Sequence, residues 1–374
     1  MDRSRVRGML LGGAIGDALG NPIEFLSING ARKHFGPNGV TTLILNRDGF
    51  SEITDDTQMT LFTLEGMIRG HHQLRRTPRP GTDPLAVVVR TVHGAYLRWL
   101  RTQHDYAPDA DMTGWLVGHQ ELHVPRAPGL TCLSALRRTN TPGCDIATPT
   151  NRINDSKGCG SVMRAGAVAL WPGSAADVFR LGIDTGALTH SHPTGFLAAG
   201  AFAVIVRELL NGNELLTAIE AARESLRTWP NQAEVTELYE HIDLAVRLGS
   251  GQRNWTGRRQ EPVRLTPEAI ASELGGGWTA EDALAIALYS ALVATDFEDG
   301  VCLAVNHSGD SDSTGAVAGN ILGAMYGEQA IPTRWLNELE LADVIGQIGD
   351  DALTEFGTTS RQSSQEWLRR FPPN

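Results

Sequence analysis

Apolar residues recur along most of this chain at three- and four-residue intervals, the spacing that turns one face of a helix inward. The pattern predicts helices over 5–20, 56–70, 85–101, 161–171, 176–188, 194–211, 214–228, 233–248, 281–296 and 312–327, most of them rich in Ala and Leu. Strict alternation is scarce, and Val40 to Leu45 is the best short strand candidate. Helix starts are marked by Thr54 or Asp55, by Thr279 followed by Glu281 and Asp282, and by Pro267-Glu268. Stretches 71–84, 140–158 and 249–267 carry the Gly, Pro, Arg, Thr or Asn of loops. We expect one domain over residues 1–356 and a polar tail over 357–374 that frays at the end.

Two glycine stripes stand out within the helical pattern. Gly12, Gly16 and Gly20 repeat every four residues, and so do Gly315, Gly319, Gly323 and Gly327. On a helix this spacing lines one face with glycine and lets another helix approach closely. Asp17 and Asn320 interrupt the stripes, so tight packing inside a soluble core is the reading rather than dimerisation in a membrane.

Composition narrows the possible partners. The chain has 374 residues, 41% hydrophobic and 20% charged, with a formal net charge of −11. That balance argues against a general nucleic-acid or anionic-membrane surface. An anionic substrate would need local help from metals or backbone amides. Cys132, Cys144, Cys159 and Cys302 lie far apart without a C-x-x-C pair, which fits a reducing cytoplasm. Arg3, Arg5 and Arg7 before the apolar Gly8–Gly16 stretch imitate a signal peptide, but Asp17 cuts that stretch short. No run approaches the ~20 apolar residues of a membrane span. A cytoplasmic monomer is the expectation.

The candidate chemistry is acidic. Thr54-Asp55-Asp56-Thr57 and Asp310-Ser311-Asp312-Ser313-Thr314 each set carboxylates beside hydroxyls, a hard-oxygen donor set suited to Mg²⁺ or Mn²⁺. Brought together, they supply ligands enough for two metal ions. Thr54 and the acids after it also suit a helix N-terminus, and neighbouring helical residues point about 100° apart, so Asp55 and Asp56 can face different ions. The second cluster opens like an EF-hand loop, yet Ile321 stands where the bidentate Glu is required, so that reading fails. Its D-x-D-x-T spelling keeps a phosphatase as a rival. Asn154 to Ser161 forms a Gly-rich turn that exposes backbone N–H groups suited to phosphate. His190 and His192 lack partners at zinc-ligand spacing, so substrate contact or packing is the reading there. Asp17 and Glu24 complete the acids, with Glu24 placed to reach into a cleft.

These segments, in this order, resemble the ADP-ribosylglycohydrolase family, which includes dinitrogenase-reductase-activating glycohydrolases and ADP-ribosylarginine and ADP-ribosylserine hydrolases. The resemblance rests on G-A-I-G-D-A-L-G-N-P-I-E-F (Gly13 to Phe25), T-D-D-T-Q-M-T (Thr54 to Thr60) and S-K-G-C-G-S-V-M-R (Ser156 to Arg164). It continues in T-H-S-H-P (Thr189 to Pro193), G-W-T-A-E-D-A-L-A-I-A-L-Y (Gly277 to Tyr289) and H-S-G-D-S-D-S-T-G-A-V-A-G-N-I-L-G-A (His307 to Ala324). It implies an all-α, compact orthogonal helical bundle with a binuclear metal centre in a cleft, holding two Mg²⁺ ions for which Mn²⁺ substitutes. Matched by position, Thr54, Asp55, Asp56, Asp310, Asp312 and Ser313 are metal ligands. Lys157, Gly158, Cys159, Gly160 and Ser161 hold the pyrophosphate, and His192 lies near the ribose. Ser313 stands where many members have Thr, and Cys159 where others have Asn. Glu24 guards the metals, and Asp55, Asp56 or Glu24 passes the proton. The implied activity is release of ADP-ribose from a modified protein side chain, arginine first. Another ADP-ribosyl linkage, as in serine or a small molecule, and a non-catalytic ADP-ribose-binding or structural role are the alternatives.

Overall fold

The computed structural model describes every residue of 1–374 except 79, 106, 108, 109, 252–261, 358–364 and 374. Among the described residues there are sixteen α-helices and no strand. In chain order they are α1 (Arg3–Gly20), α2 (Ile28–Phe35), α3 (Asp55–Arg76), α4 (Pro84–Thr102), α5 (Leu130–Thr139) and α6 (Ala175–Ala187). Then follow α7 (Pro193–Leu210), α8 (Leu215–Arg227), α9 (Thr236–Ser250), α10 (Pro267–Leu274) and α11 (Ala280–Val293). The last are α12 (Phe297–Val305), α13 (Ser311–Tyr326), α14 (Thr333–Glu338), α15 (Ala342–Phe356) and α16 (Gln365–Arg370).

The two glycine stripes face each other. A methyl group at Gly16 would lie 1.9 Å from the Gly315 carbonyl oxygen, and one at Gly323 would lie 1.9 Å from that of Gly8. Gly12 meets Gly319 and Gly20 meets Ser311 in the same way, so α1 and α13 run antiparallel with their backbones touching. Only glycine permits this approach along both helices. The consequence is positional: the C-terminal end of α1, which leads to Glu24, is locked against the N-terminal end of α13, which Asp310 caps. Helices α7 and α11 are apolar nearly all round and form the centre of the core. By length and hydropathy α7 would suffice to cross a membrane, contrary to the expectation that no run comes near a span, but 89% of it is buried inside the protein.

Several expectations need correction. No α-helix spans 161–171; two 3₁₀ segments, Cys159–Ser161 and Ala165–Leu170, stand there. Arg164 shows why, because its Nη1 takes the Gly160 carbonyl at 2.5 Å, the acceptor its own backbone N–H would use in an α-helix. Helix α3 continues to Arg76 instead of ending at 70, and its last turns carry His71 and Arg75 to Glu355 of α15. Val40 to Leu45 is not a strand: the Asn306 side chain takes both the N–H and the C=O of Val40. The C-terminal segment is not uniformly frayed, since α16 buries Trp367, Phe371 just after it is buried too, and the Arg370 carbonyl accepts from the Trp115 N–H. Of the loop over 249–267, residues 252–261 lie outside the described set.

Candidate active site

The acidic clusters, about 250 residues apart in sequence, meet where α1, α3 and α13 converge. Asp17, fully buried on α1, fixes the start of α3. Its carboxylate accepts the Thr54 N–H at 3.0 Å and the Thr57 N–H at 3.1 Å. Thr54 then caps α3, its hydroxyl accepting the Asp56 N–H at 3.2 Å. On the other side Asp310 caps α13 and accepts from the Ser313 N–H at 3.3 Å. The acids that open these helices are therefore held by ordinary capping chemistry, and that chemistry also aims them at one another.

Carboxylate oxygens of Glu24, Asp310 and Asp312 lie within 4.8 Å of one another. Charge repulsion couples these acids: Asp55 feels Asp17, Glu24 and Asp310, and Asp56 feels Asp17, Asp55 and Asp310. Burial first, then this mutual repulsion, pushes Asp55, Asp56 and Asp312 well above the usual carboxylate range. Glu24, drawn from water and facing Asp310 and Asp17, is pushed up to about 8. Burial also lifts Asp17, to about 6, despite its bonds to Thr54 and Thr57. Asp55 has the Gly129 N–H at 3.3 Å, and Asp56 keeps one oxygen, Oδ1, buried without a partner. An orphaned buried carboxylate oxygen among four other acids is a position that a cation would satisfy. Glu24, Asp55, Asp56, Asp310 and Asp312, with the Thr54 and Ser313 hydroxyls, offer only oxygens, so the donor set fits hard divalent ions.

The expected phosphate loop is more heavily engaged than its sequence suggests. Lys157 Nζ is tied to Glu237 at 2.5 Å and to the buried Glu281. The Gly158 N–H goes to Ser156 Oγ and the Cys159 N–H to the Trp278 carbonyl. Ser161 is buried, its hydroxyl on the Gly195 carbonyl, and Gly160 packs on the His190 ring. Lys157 and Ser161 thus hold the loop in place, and two of the expected amide donors are already used. Cys159 alone of this set contacts the acidic centre, its Sγ 2.8 Å from Asp310 Oδ2. His192 caps α7 and hangs on the Ser156 carbonyl through its N–H, beside the loop.

Sequence reasoning missed the rim. Phe25, directly after Glu24, stacks on Trp278 with ring centroids 5.8 Å apart. Both rings are well exposed, at 76% and 46%. The turn that carries Trp278 also holds the acidic floor, since the Gly276 carbonyl accepts the Asp310 N–H at 2.8 Å. A tryptophan beside three glycines in 275–279 was the available signal.

An all-helical protein with a buried, oxygen-lined acidic centre at the meeting of three helix ends is what fold and site define. The comparisons make this specific: a family model described as ADP-ribosylglycohydrolase matches residues 1–362, and the chain belongs to that family of hydrolases. It is 25% identical over 341 residues to an ADP-ribosyl-[dinitrogen reductase] glycohydrolase of Rhodospirillum rubrum, covering 90% of each chain. With an ADP-ribosylhydrolase of Homo sapiens it shares 23% over 361 residues, 90% of this chain and 89% of that one. An ADP-ribosylarginine hydrolase of Pseudomonas putida is 23% identical over 348 residues, 93% of this chain and 77% of the other. Among solved structures, an ADP-ribosylglycohydrolase-related protein complex superposes with a TM-score of 0.65, at 24% identity over 95% of this chain and 99% of that one, a likeness of fold. The all-α architecture also removes the phosphatase rival, which needs its D-x-D-x-T after a buried strand; Asp310 instead caps a helix.

Proposed function

We propose that this protein hydrolyses the bond between ADP-ribose and a modified protein side chain, arginine first, with the help of two divalent cations, Mg²⁺ or Mn²⁺. The observation that carries the proposal is the Glu24, Asp310 and Asp312 cluster beside the orphaned Asp56 oxygen. Asp310, Asp312, Asp55 and Asp56 would hold the ions, with Thr54 and Ser313 adding hydroxyl oxygens and Glu24 standing beside them. When bound, the cations supply Lewis acidity and neutralise the charge that the centre cannot neutralise by itself. Asp55 and Asp56 are 5% and 3% exposed, whereas Glu24 is only half-buried. Glu24 is therefore the carboxyl that can reach substrate and solvent together, and we give it the proton that passes to the leaving group. Asp17 holds the first turn of α3 and keeps Asp55 and Asp56 aimed inward.

The aromatic rim favours arginine. A guanidinium is planar, weakly hydrated and stacks on aromatic faces, and Phe25–Trp278 presents such faces next to Glu24. A serine linkage offers nothing comparable to stack. The test is release of ADP-ribose from arginine-linked and serine-linked ADP-ribosyl proteins, each with Mg²⁺ and with excess chelator. Mg²⁺-dependent release from the arginine-linked protein is expected. Release from the serine-linked protein alone would overturn the arginine reading, and undiminished release under chelator would overturn the metal reading.

A further inference from the structure

Among the described residues three arginines are fully buried, and acids answer two of them. Arg98 meets Glu65 at 2.7 Å, and Arg69 meets Asp111 at 3.3 Å. Arg164, 1% exposed, forms no ion pair with any described residue. Its Nη1 donates to the Gly160 carbonyl, its Nη2 to the Thr185 carbonyl and the Thr189 hydroxyl, and the guanidinium lies 4.6 Å over the Tyr96 ring. Its Nε is buried without a partner. A buried cation with no counter-ion is costly, and only neutral acceptors hold this one. What it organises borders the cleft, since Gly160 follows the cysteine that touches Asp310.

The contact with Thr189 reaches further. A guanidinium only donates, so the Thr189 oxygen at 2.7 Å accepts, and the hydroxyl keeps its own proton to give. His190 Nδ1 stands 2.8 Å from that oxygen. Cys132 Sγ is the competing acceptor and a weak one. The hydroxyl therefore donates to Nδ1, and the positive charge behind it also disfavours a proton at that end of the ring. Burial first, then the Arg164 charge, pushes the imidazole down to about 3, so the ring is neutral and its one proton sits on Nε2. Nε2 faces the loop: methyl groups at Gly158 and Gly160 would meet it at 3.3 and 3.1 Å. It has no partner among the described residues, although His190 is only 2% exposed. A buried donor aimed at the loop and left without an acceptor points to an oxygen of a ligand.

We propose that Arg164 is a positioning residue for substrate binding: through Thr189 it fixes the proton of His190 on Nε2, so that the Gly158–Gly160 loop meets the ADP-ribosyl group with a neutral N–H donor in place of a lone pair. Arg164 itself touches no substrate. Its fork joins the two segments that must stay in register, the loop through the Gly160 carbonyl and the turn after α6 through Thr185 and Thr189. The inference rests on the hydrolytic reading for its ligand and adds to that reading how the donor is kept in the right form.

The experiment combines nitrogen NMR of the full-length protein, labelled with ¹⁵N in histidine only, with calorimetric titration by ADP-ribose. The His190 signals are identified by their loss in His190→Gln. In the natural protein at neutral pH they are expected to show a protonated Nε2 and a bare Nδ1. Thr189→Val removes the relay and keeps the shape of the side chain; there, and in Arg164→Gln, the proton is expected to spread over both nitrogens. ADP-ribose binding is expected to weaken roughly tenfold or more in the same variants. A proton on Nδ1 in the natural protein would overturn the proposal without any variant, so it stays open to refutation even where Arg164→Gln does not fold. A folded Thr189→Val with the tautomer and the affinity of the natural protein would overturn it as well. ADP-ribose that binds the natural protein with no release from any modified protein would sink the hydrolytic reading alone, whereas ADP-ribose that does not bind at all would sink both.

Discussion

Two parts of this molecule bury carboxylates, and they treat them in opposite ways. On the α3 side away from the cleft, Glu65 is fully buried with Arg98 at 2.7 Å, and Arg69 lies nearby, fully buried itself. Glu355 of α15, also fully buried, receives His71 at 2.7 Å and Arg75 at 3.2 Å. Burial alone would raise Glu355, but contacts with His71 and His72 and the charge of Arg75 outweigh it and hold the carboxyl down at about 2. At the other end of the same helix, Asp55 and Asp56 are raised by burial and then by the charges of neighbouring acids, Asp17 and Asp310 among them, and no arginine, lysine or histidine is among the causes of their shifts. One helix thus shows both outcomes. Where a protein cation answers the buried charge, the pair organises the fold. Where none does, the carboxyls are left to hold protons or to take a cation from solution, and the proposed function takes the second course.

Experiments can break this contrast or sharpen it. The largest effect is expected from Asp55→Ala combined with Asp312→Ala: release of ADP-ribose should fall by about 10³-fold or more, since both sides of the centre lose a ligand. Turnover near that of the natural protein would remove the centre from the chemistry. Next comes Glu65→Ala, which leaves Arg98 buried without its partner and should cost about 3–5 kcal/mol of stability in denaturant melts. Asp56→Asn should act with the opposite sign. In chelator it relieves repulsion among the acids and is expected to stabilise the protein by about 0.5–2 kcal/mol. A destabilising Asp56→Asn under those conditions would mean that the centre is an ordinary structural cluster. The smallest effect concerns pH. Because Glu355 is held below its ordinary 4.5, the stability it contributes is whole above pH 4.5 and is lost as the pH falls toward 2. Melting temperatures across that window should therefore drop less steeply for Glu355→Gln than for the natural protein.

The sequence made the acidic floor legible because its parts are short and local. Thr54-Asp55-Asp56 and Asp310-Ser311-Asp312 carry both their caps and their ligands within one turn, and the glycine stripes carry the packing that joins them. What stayed hidden depends on distant partners. Lys157 looks like a free cation until Glu237 and Glu281, 80 and 124 residues away, are placed on it. The 3₁₀ path through 159–170 arises because Arg164 reaches Gly160, Thr185 and Thr189 together, which no periodicity encodes. Helices α2, α5, α12, α14 and α15 were not anticipated either, and two of them matter here: α5 begins just after Gly129, which holds Asp55, and α15 supplies Glu355. Phe25 and Trp278 form a pair only in three dimensions.

The central claim is that the unanswered carboxylates wait for a cation, and calorimetric titration of the chelator-treated full-length protein with Mg²⁺, paired with melting curves, tests it most directly. Binding is expected, with a gain of about 2.7 kcal/mol in stability at a hundred times the dissociation constant. Both heat and gain should disappear in the Asp55→Ala, Asp312→Ala variant. No heat and identical melting with and without Mg²⁺ in the natural protein would contradict the account.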